Sequence, residues 1–361
     1  MRKKIFLMRP SIGSEEYNMI RKVLRSKFLT EGKVTIQFEK KVASYVHSRY
    51  AIATTSATTA IHTALECMQV KGKKVLVSDF TFPASALAVI LAGGKPVLID
   101  VDKDTMNVTR DIVEKTADKD THFVLPVSLF GNPLENQFYK LNKKGIAIIE
   151  DAATNLGTMI NGKYVGSLAD ITCFSFHPRK IITTGEGGMI TTNSKELAQR
   201  CRSYKTFGKV GMEFVGMGTN YKISDILSAV GIVQLGKIEK IIKKRIEMAK
   251  IYNELINKID FIESQKPISD SRHTYQSYVC YFTKPGLRDK IRKNLAKENV
   301  ETQIGTFALH CLPFFKKSSR KGRLDNSEFL YKNSISLPLH EELTHKDQEF
   351  ICSVIRNTLR S

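Results

Sequence analysis

Nothing in this sequence is apolar for long enough to cross a bilayer: the longest run, Ala84 to Leu91, falls well short of the roughly 20 residues a spanning helix needs. The opening Met1 to Met8 meets Arg9 and Pro10 before a signal-peptide core can form, so a cytoplasmic chain without membrane attachment is expected. Paired cysteines are also missing. Cys67, Cys173, Cys201, Cys280, Cys311 and Cys352 are scattered with no Cys-x-x-Cys, which argues against a disulfide framework and a zinc ribbon; reduced thiols and no metal ion are expected. No segment is of low complexity, so disorder is expected only at the termini. Acidic residues are in short supply: 36 Asp and Glu stand against 56 Lys and Arg, a net charge of +20. Such a balance suits either nucleic acid or small anionic substrates. The densest basic runs, Lys237 to Arg245 and Lys316 to Arg323, have few interleaved aromatics and read as solvated faces.

What is present has the texture of a globular protein, with 42% hydrophobic and 25% charged residues over 361 positions. At about 100–200 residues per domain, two domains are expected. From Tyr50 to about Asn193, short β-rich runs alternate with helical stretches, the pattern of a mostly parallel sheet covered on both faces. Strands are predicted at 51–54, 75–77, 96–101, 123–129, 146–150, 171–176 and 189–192, giving a seven-stranded sheet. Helices are predicted at 58–68, 83–92 and 134–143. After Ser224 a long helix begins, capped by Ser224-Asp225 and carrying Ile238, Ile241, Ile242, Arg245, Ala249, Tyr252 and Leu255 at helical spacing. A strand at 278–282, a helix around 287–298 and a closing helix after Thr344 suggest a smaller α+β unit. The expected division is a large α/β domain over 1–240 and a small C-terminal domain over 241–361.

Two groups promise chemistry. The apolar strand ending Ile148-Ile149-Glu150-Asp151 leaves a carboxylate at its carboxyl end, where open α/β sheets bind ligands. Further on, Cys173-Phe174-Ser175-Phe176-His177-Pro178-Arg179-Lys180 puts a lysine in a loop between two apolar strands, followed by Gly185, Gly187 and Gly188. Apolar neighbours desolvate such a lysine, which lowers its pKa and leaves an amine able to attack a carbonyl. The glycines do not follow the Gly-x-x-x-x-Gly-Lys-Ser/Thr order of a P-loop. A lysine nucleophile and a buried carboxylate together are what pyridoxal 5'-phosphate requires, one for its aldehyde and one for its ring nitrogen. The phosphate needs donors. Thr54-Thr55-Ser56-Ala57-Thr58-Thr59-Ala60 offers them where a strand gives way to a helix. Taken singly, each feature has a plain alternative: a turn aspartate, a solvated loop lysine, a Ser/Thr helix cap.

At these residues the chain resembles the DegT/DnrJ/EryC1/StrS family of sugar aminotransferases, of the aspartate-aminotransferase fold (type I). The resemblance runs from Arg9-Pro10-Ser11 to Ser336-Leu337-Pro338-Leu339. It is most specific at Ser175-Phe176-His177-Pro178-Arg179-Lys180 and Thr183-Thr184-Gly185-Glu186-Gly187-Gly188. It implies Lys180 as the Schiff-base lysine, Asp151 on the ring nitrogen, and Ser175 with Ala57 and Thr58 on the phosphate. Phe82 would stack on the ring, and Thr154 would sit near the ring hydroxyl. Asn220, in Gly218-Thr219-Asn220-Tyr221, would reach the phosphate of the neighbouring subunit, so a homodimer with shared sites is implied. Thr30 and His310 fall in segments resembling substrate loops. Several positions depart from the pattern: Thr154 where His or Gln is frequent, Ala57 for glycine, Lys222 for arginine, Ser128 for histidine.

The activity implied is transfer of an amino group from L-glutamate, through pyridoxamine 5'-phosphate, to a nucleotide-linked keto sugar. An NDP-4-keto-6-deoxyhexose or an NDP-3-keto sugar is the class of acceptor. A sugar dehydratase of the same family is the nearest rival, but that branch resembles this one with histidine in place of the lysine, and Lys180 speaks against it. A non-catalytic nucleic-acid-binding protein, prompted by the charge, would instead bind DNA in a salt-sensitive way and hold no chromophore.

Overall fold

A computed structural model of the chain describes residues 3–360. The seven predicted strands form one sheet in the spatial order Tyr50–Thr54, Gly188–Thr192, Ile171–Ser175, Ala147–Asp151, Thr121–Leu125, Lys74–Ser78, Lys95–Ile99. An eighth strand, Ser319–Arg320, pairs parallel with Lys95–Ile99 at the edge and was not foreseen, being two polar residues long. Only Gly188–Thr192 runs against its neighbours; every other pairing in this sheet is parallel.

The apolar runs read as they do because helices cover both faces. Alternate residues point to opposite sides. Ile52, Ile149, Cys173 and Ile190 pack with Ala60, Ile61 and Ala64 of the helix Ala57–Cys67 and with Ala88 and Val89 of the helix Ala84–Leu91. Ala51, Ala53, Phe174 and Met189 meet Phe38 and Val42 of the helix Lys33–Tyr45 and Ile238 and Ile242 of the helix Asp225–Ile256 on the other side. One predicted helix is corrected. The stretch 134–143 holds a 3₁₀ helix, Phe138–Lys144, and residues 132–135 before it form neither helix nor strand.

The helix Asp225–Ile256 is a single 32-residue element, and Ser224 caps it by accepting from the Leu227 amide at 3.3 Å. The Asp225 carboxylate turns away from its own helix. It accepts from the Gly32 and Thr35 amides at 2.8 and 2.9 Å, closing the start of the helix Lys33–Tyr45. The long helix passes residue 240 without a break. Its Ile238, Ile241 and Ile242 belong to the core beneath the large sheet. Met248, Ala249, Tyr252 and Ile256 belong to a separate core. That second core covers a four-stranded antiparallel sheet, ordered Ile262–Ser264, Tyr278–Phe282, Ser334–Leu337, Gln303–Ile304, with the helices Leu287–Lys297 and His345–Arg360. Near the N-terminus, Ile5 accepts from the Glu301 amide and donates to the Asn299 carbonyl, both at 2.9 Å.

Candidate active site

The strand Ala147–Asp151 lies between the parallel strands Ile171–Ser175 and Thr121–Leu125, so Asp151 ends up buried at the carboxyl edge of the sheet. Its Oδ2 accepts from Ser85 Oγ at 2.7 Å and its Oδ1 from the Ala153 amide at 3.1 Å. Burial pushes the carboxyl above its ordinary range; these two donors and the charge of Lys180 oppose that shift without cancelling it. No cation among the described residues pairs with it directly.

Lys180 follows the strand Ile171–Ser175 in a tight loop whose Lys180 amide donates to the His177 carbonyl at 2.8 Å. The side chain is partly exposed along its length, but its amine ends among protein atoms. This desolvation holds it below the usual lysine range, with Asp151 acting the other way. Lys180 and Asp151 line one cavity of about 620 Å³.

The phosphate end follows from helix capping. Ser56 caps the helix Ala57–Cys67, its Oγ accepting from the Thr59 amide at 3.2 Å, while the Ser56 amide donates to Thr59 Oγ1 at 3.0 Å. Ser56 and Thr59 are thus spent on each other. The amides of Ala57 and Thr58 and the Thr58 hydroxyl make no hydrogen bond among the described residues and line the cavity, as does Ser175. A side chain at position 188 would put its Cβ 2.2 Å from the Ser56 carbonyl, so only glycine lets the neighbouring strand approach this turn. Orphan N–H groups at a helix N-terminus, two hydroxyls and an enclosed space make a receptor for a phosphate.

Phe82 also lines the cavity. A core phenylalanine would be buried; this ring is 63% exposed, with Phe307 at 6.2 Å between centroids. Thr154 lines it too, its single hydroxyl proton shared between the Ser128 carbonyl and Asn155 Oδ1, each at 2.8 Å, which leaves the oxygen able to accept. Seven of the predicted residues therefore meet: Ala57, Thr58, Phe82, Asp151, Thr154, Ser175 and Lys180. Three do not. Thr30 and Asn220 are exposed and away from the cavity of their own chain, Asn220 accepting from Lys222 Nζ at 2.6 Å. His310 lies outside it as well, its ring engaged by Asp79.

Several wall residues escaped the sequence reading. Ser85 was hidden as the one hydroxyl in the buried first turn of an apolar helix, a signal that was available. Gln276, whose Nε2 donates to the Arg179 carbonyl at 2.5 Å, and the segment from Gln303 to Phe307 come from far along the chain and carry no local signal.

A buried carboxylate without a cation, a desolvated amine lining the same space, an exposed aromatic beside them and an anion cradle of free amides and hydroxyls fit pyridoxal phosphate at each of its ends. The fold and this cavity define the chain as a pyridoxal-phosphate-dependent aminotransferase. Comparison with known proteins makes the assignment specific. The chain belongs to the DegT/DnrJ/EryC1/StrS aminotransferase family, matching it over residues 10–356. It is 32% identical over 360 residues to the UDP-4-amino-4,6-dideoxy-N-acetyl-beta-L-altrosamine transaminase of Campylobacter jejuni, covering 94% of each chain. It is 31% identical over 360 residues to the GDP-perosamine synthase of Escherichia coli O157:H7, covering 98% of each. Among solved structures it superposes on Helicobacter pylori PseC, an aminotransferase involved in the biosynthesis of pseudoaminic acid. The TM-score is 0.93 at 25% identity, over 99% of this chain and all of that one.

Proposed function

We propose that this enzyme moves an amino group from L-glutamate to a nucleotide-linked keto sugar, an NDP-4-keto-6-deoxyhexose or NDP-3-keto sugar. The product is an NDP-amino sugar, a precursor for polysaccharide. The observation that carries the reading is the desolvated amine of Lys180 and the buried carboxylate of Asp151, which line one cavity and are not paired with each other. The transaminase relatives that act on UDP- and GDP-linked sugars support the acceptor class, and the net charge of +20 favours a diphosphate.

Bound pyridoxal phosphate supplies an aldehyde that exchanges amines and a ring that takes up the electron pair released at a deprotonated carbon. The protein's residues do the rest. Lys180 Nζ would hold the cofactor's aldehyde, and as an amine of lowered basicity it would carry the proton taken from the donor's α-carbon. Asp151 would keep the ring nitrogen protonated, with Ser85 fixing the direction of its Oδ2. Ala57, Thr58 and Ser175 would hold the phosphate, Phe82 would cover the ring, and the Thr154 oxygen would be free to accept from the ring hydroxyl. Lys180 in place of histidine favours amino transfer over dehydration.

The active assembly is a homodimer. Support comes from the exposed apolar segment beside Asn220, with Met212 86%, Phe214 69% and Met217 85% exposed, a patch that a second copy would cover. Asn220, away from its own cavity, serves the partner's phosphate, and Thr30 lies on the same kind of exposed loop as a candidate contact to substrate. His310 has the weaker claim on substrate, given its bond to Asp79. The proposed division is a large domain over 1–240 and a small one over 241–361; the change of core along the long helix falls slightly later, between Ile242 and Met248, and Ile5 packs in the second core. No helix among the described residues is long and apolar enough to cross a membrane; the proposed place of action is the cytoplasm.

The test incubates holoenzyme with glutamate and a panel of nucleotide keto sugars, read by mass spectrometry for the aminated product. No product from any acceptor, with glutamate half-turnover intact, sinks the sugar assignment; full turnover by Lys180→Ala sinks the mechanism. For shared sites, Lys180→Ala is co-expressed with Asn220→Ala. One restored site per mixed dimer is expected, and an inactive mixed dimer refutes Asn220 as a trans donor.

A further inference from the structure

On the outer side of the cavity wall, three potential ligands from two elements converge. Asp79 is fully buried and holds the turn Leu309–Cys311 from both sides: its Oδ1 accepts the His310 amide at 2.9 Å and its Oδ2 takes the His310 ring at Nδ1, 2.6 Å away. The ring proton therefore sits on Nδ1, and the Nε2 lone pair faces outward. Opposite Nε2 stand Cys311 Sγ at 3.4 Å and Glu328 Oε2, from the helix Asp325–Asn333, at 3.7 Å. Lys332 occupies the other Glu328 oxygen and leaves Oε2 to the cluster.

The spacing is that of ligands around one ion. All three donor atoms lie within 4.8 Å of one another. With sulfur at about 2.3 Å and nitrogen or oxygen at about 2.0–2.1 Å, tetrahedral ligands stand about 3.6 Å apart for S···N and about 3.3 Å apart for N···O. The observed S···N distance of 3.4 Å is about 0.2 Å shorter and the N···O distance of 3.7 Å about 0.4 Å longer than those values, shifts that small side-chain movements would close. A carboxylate that fixes the tautomer and direction of a histidine is the usual support behind a metal ligand. A thiolate, an imidazole and a carboxylate together suit zinc better than calcium or magnesium.

We propose that His310 Nε2, Cys311 Sγ and Glu328 Oε2 form a zinc site, with water in the fourth position and Asp79 orienting the histidine. Bound there, the ion ties the turn Leu309–Cys311 to the helix Asp325–Asn333. The tie matters because Phe307–Ala308, just before the turn, pairs with Phe80–Thr81, and Phe82 and Phe307 both line the cofactor cavity.

The experiment uses untagged holoenzyme, stripped with chelator, dialysed against Zn²⁺ alone and measured by mass spectrometry for metal content. One zinc per chain is expected, and Cys311→Ser or Cys311→Ala should retain none, with bound cofactor reporting that the variants are folded. Asp79→Asn is expected to weaken binding by about 10–100-fold. Cobalt substitution should give thiolate-dependent tetrahedral bands at the red end, clear of cofactor absorbance. A readout without any variant is also to hand. Cys311 is the only cysteine among the described residues that is not buried, so a stoichiometric amount of Zn²⁺ should slow its modification by a thiol reagent. No retained zinc, equal zinc in Cys311→Ser, or unslowed thiol modification would show a hydrogen-bonded cluster only and overturn the site.

Discussion

Glu150 and Asp151 are consecutive, both buried, and both raised in pKa by that burial, yet they face opposite sides of one strand and do different work. Asp151 looks into the cavity, steadied by Ser85 and within the field of Lys180. Glu150 looks into the opposite core, where its side-chain partners among the described residues are hydroxyls: Ser128 at 2.9 Å and Tyr139 at 3.1 and 3.2 Å. It is pushed up to about 7, with the Asp151 charge adding to the effect of burial. A buried carboxylate acquires a chemical role from the cavity and the amine it shares it with; desolvation alone gives only a proton held against its ordinary tendency.

That contrast can be broken from either side. The largest effect is expected from Lys180→Ala, which removes the proton-carrying amine: turnover should fall by about 10²–10⁴-fold in steady-state kinetics, with loss of borohydride-trappable cofactor. Asp151→Asn comes next. An amide cannot keep the ring nitrogen protonated, and a fall on the order of 10²-fold in kcat is expected, with the bound cofactor's absorption altered. Ser85→Ala removes the side-chain donor of Asp151 Oδ2, and a hydrogen bond to a charged group is worth roughly 1.5–3 kcal/mol, so cofactor affinity should weaken by about 10–100-fold in a titration.

Glu150→Gln should change turnover least, by less than about twofold, if the other face is purely structural. Its signature lies in stability. Between the ordinary value of 4.5 and about 7 the folded chain holds a proton on Glu150 that the unfolded chain releases. The stabilisation is complete below 4.5 and is lost as pH rises through 7, up to about 3 kcal/mol. Denaturant unfolding across that window should show the decline in the parent and a flatter profile in the variant; matching slopes would refute the assignment.

The sequence made Asp151 and Lys180 visible because each stands at the end of a run whose meaning is local: an apolar strand, then a polar break. The helix cap at Ser56 was readable for the same reason, although its role differs in detail, since Ser56 and Thr59 bond to each other and leave Thr58 and two amides for the anion. What stayed hidden depends on contacts across long separations. Gln276 meets Arg179 at a separation of 97 residues, and Asp225 caps a helix about 190 residues earlier. No periodicity encodes either contact. The short edge strand Ser319–Arg320 was illegible for another reason, as two polar residues have no pattern and are held only by pairing with Lys95–Ile99.

The Gln276 contact has a consequence in time. The carbonyl of Arg179, one residue before the reactive lysine, is held by a side chain that leaves the ribosome much later, and the cores on both faces of the sheet are completed later still, by Val279 and Tyr281 on one side and Leu309, Phe315 and Leu324 on the other. Cofactor capture during synthesis is then expected to wait for the C-terminal third, and ribosome-stalled chains ending before Gln276 should not trap it.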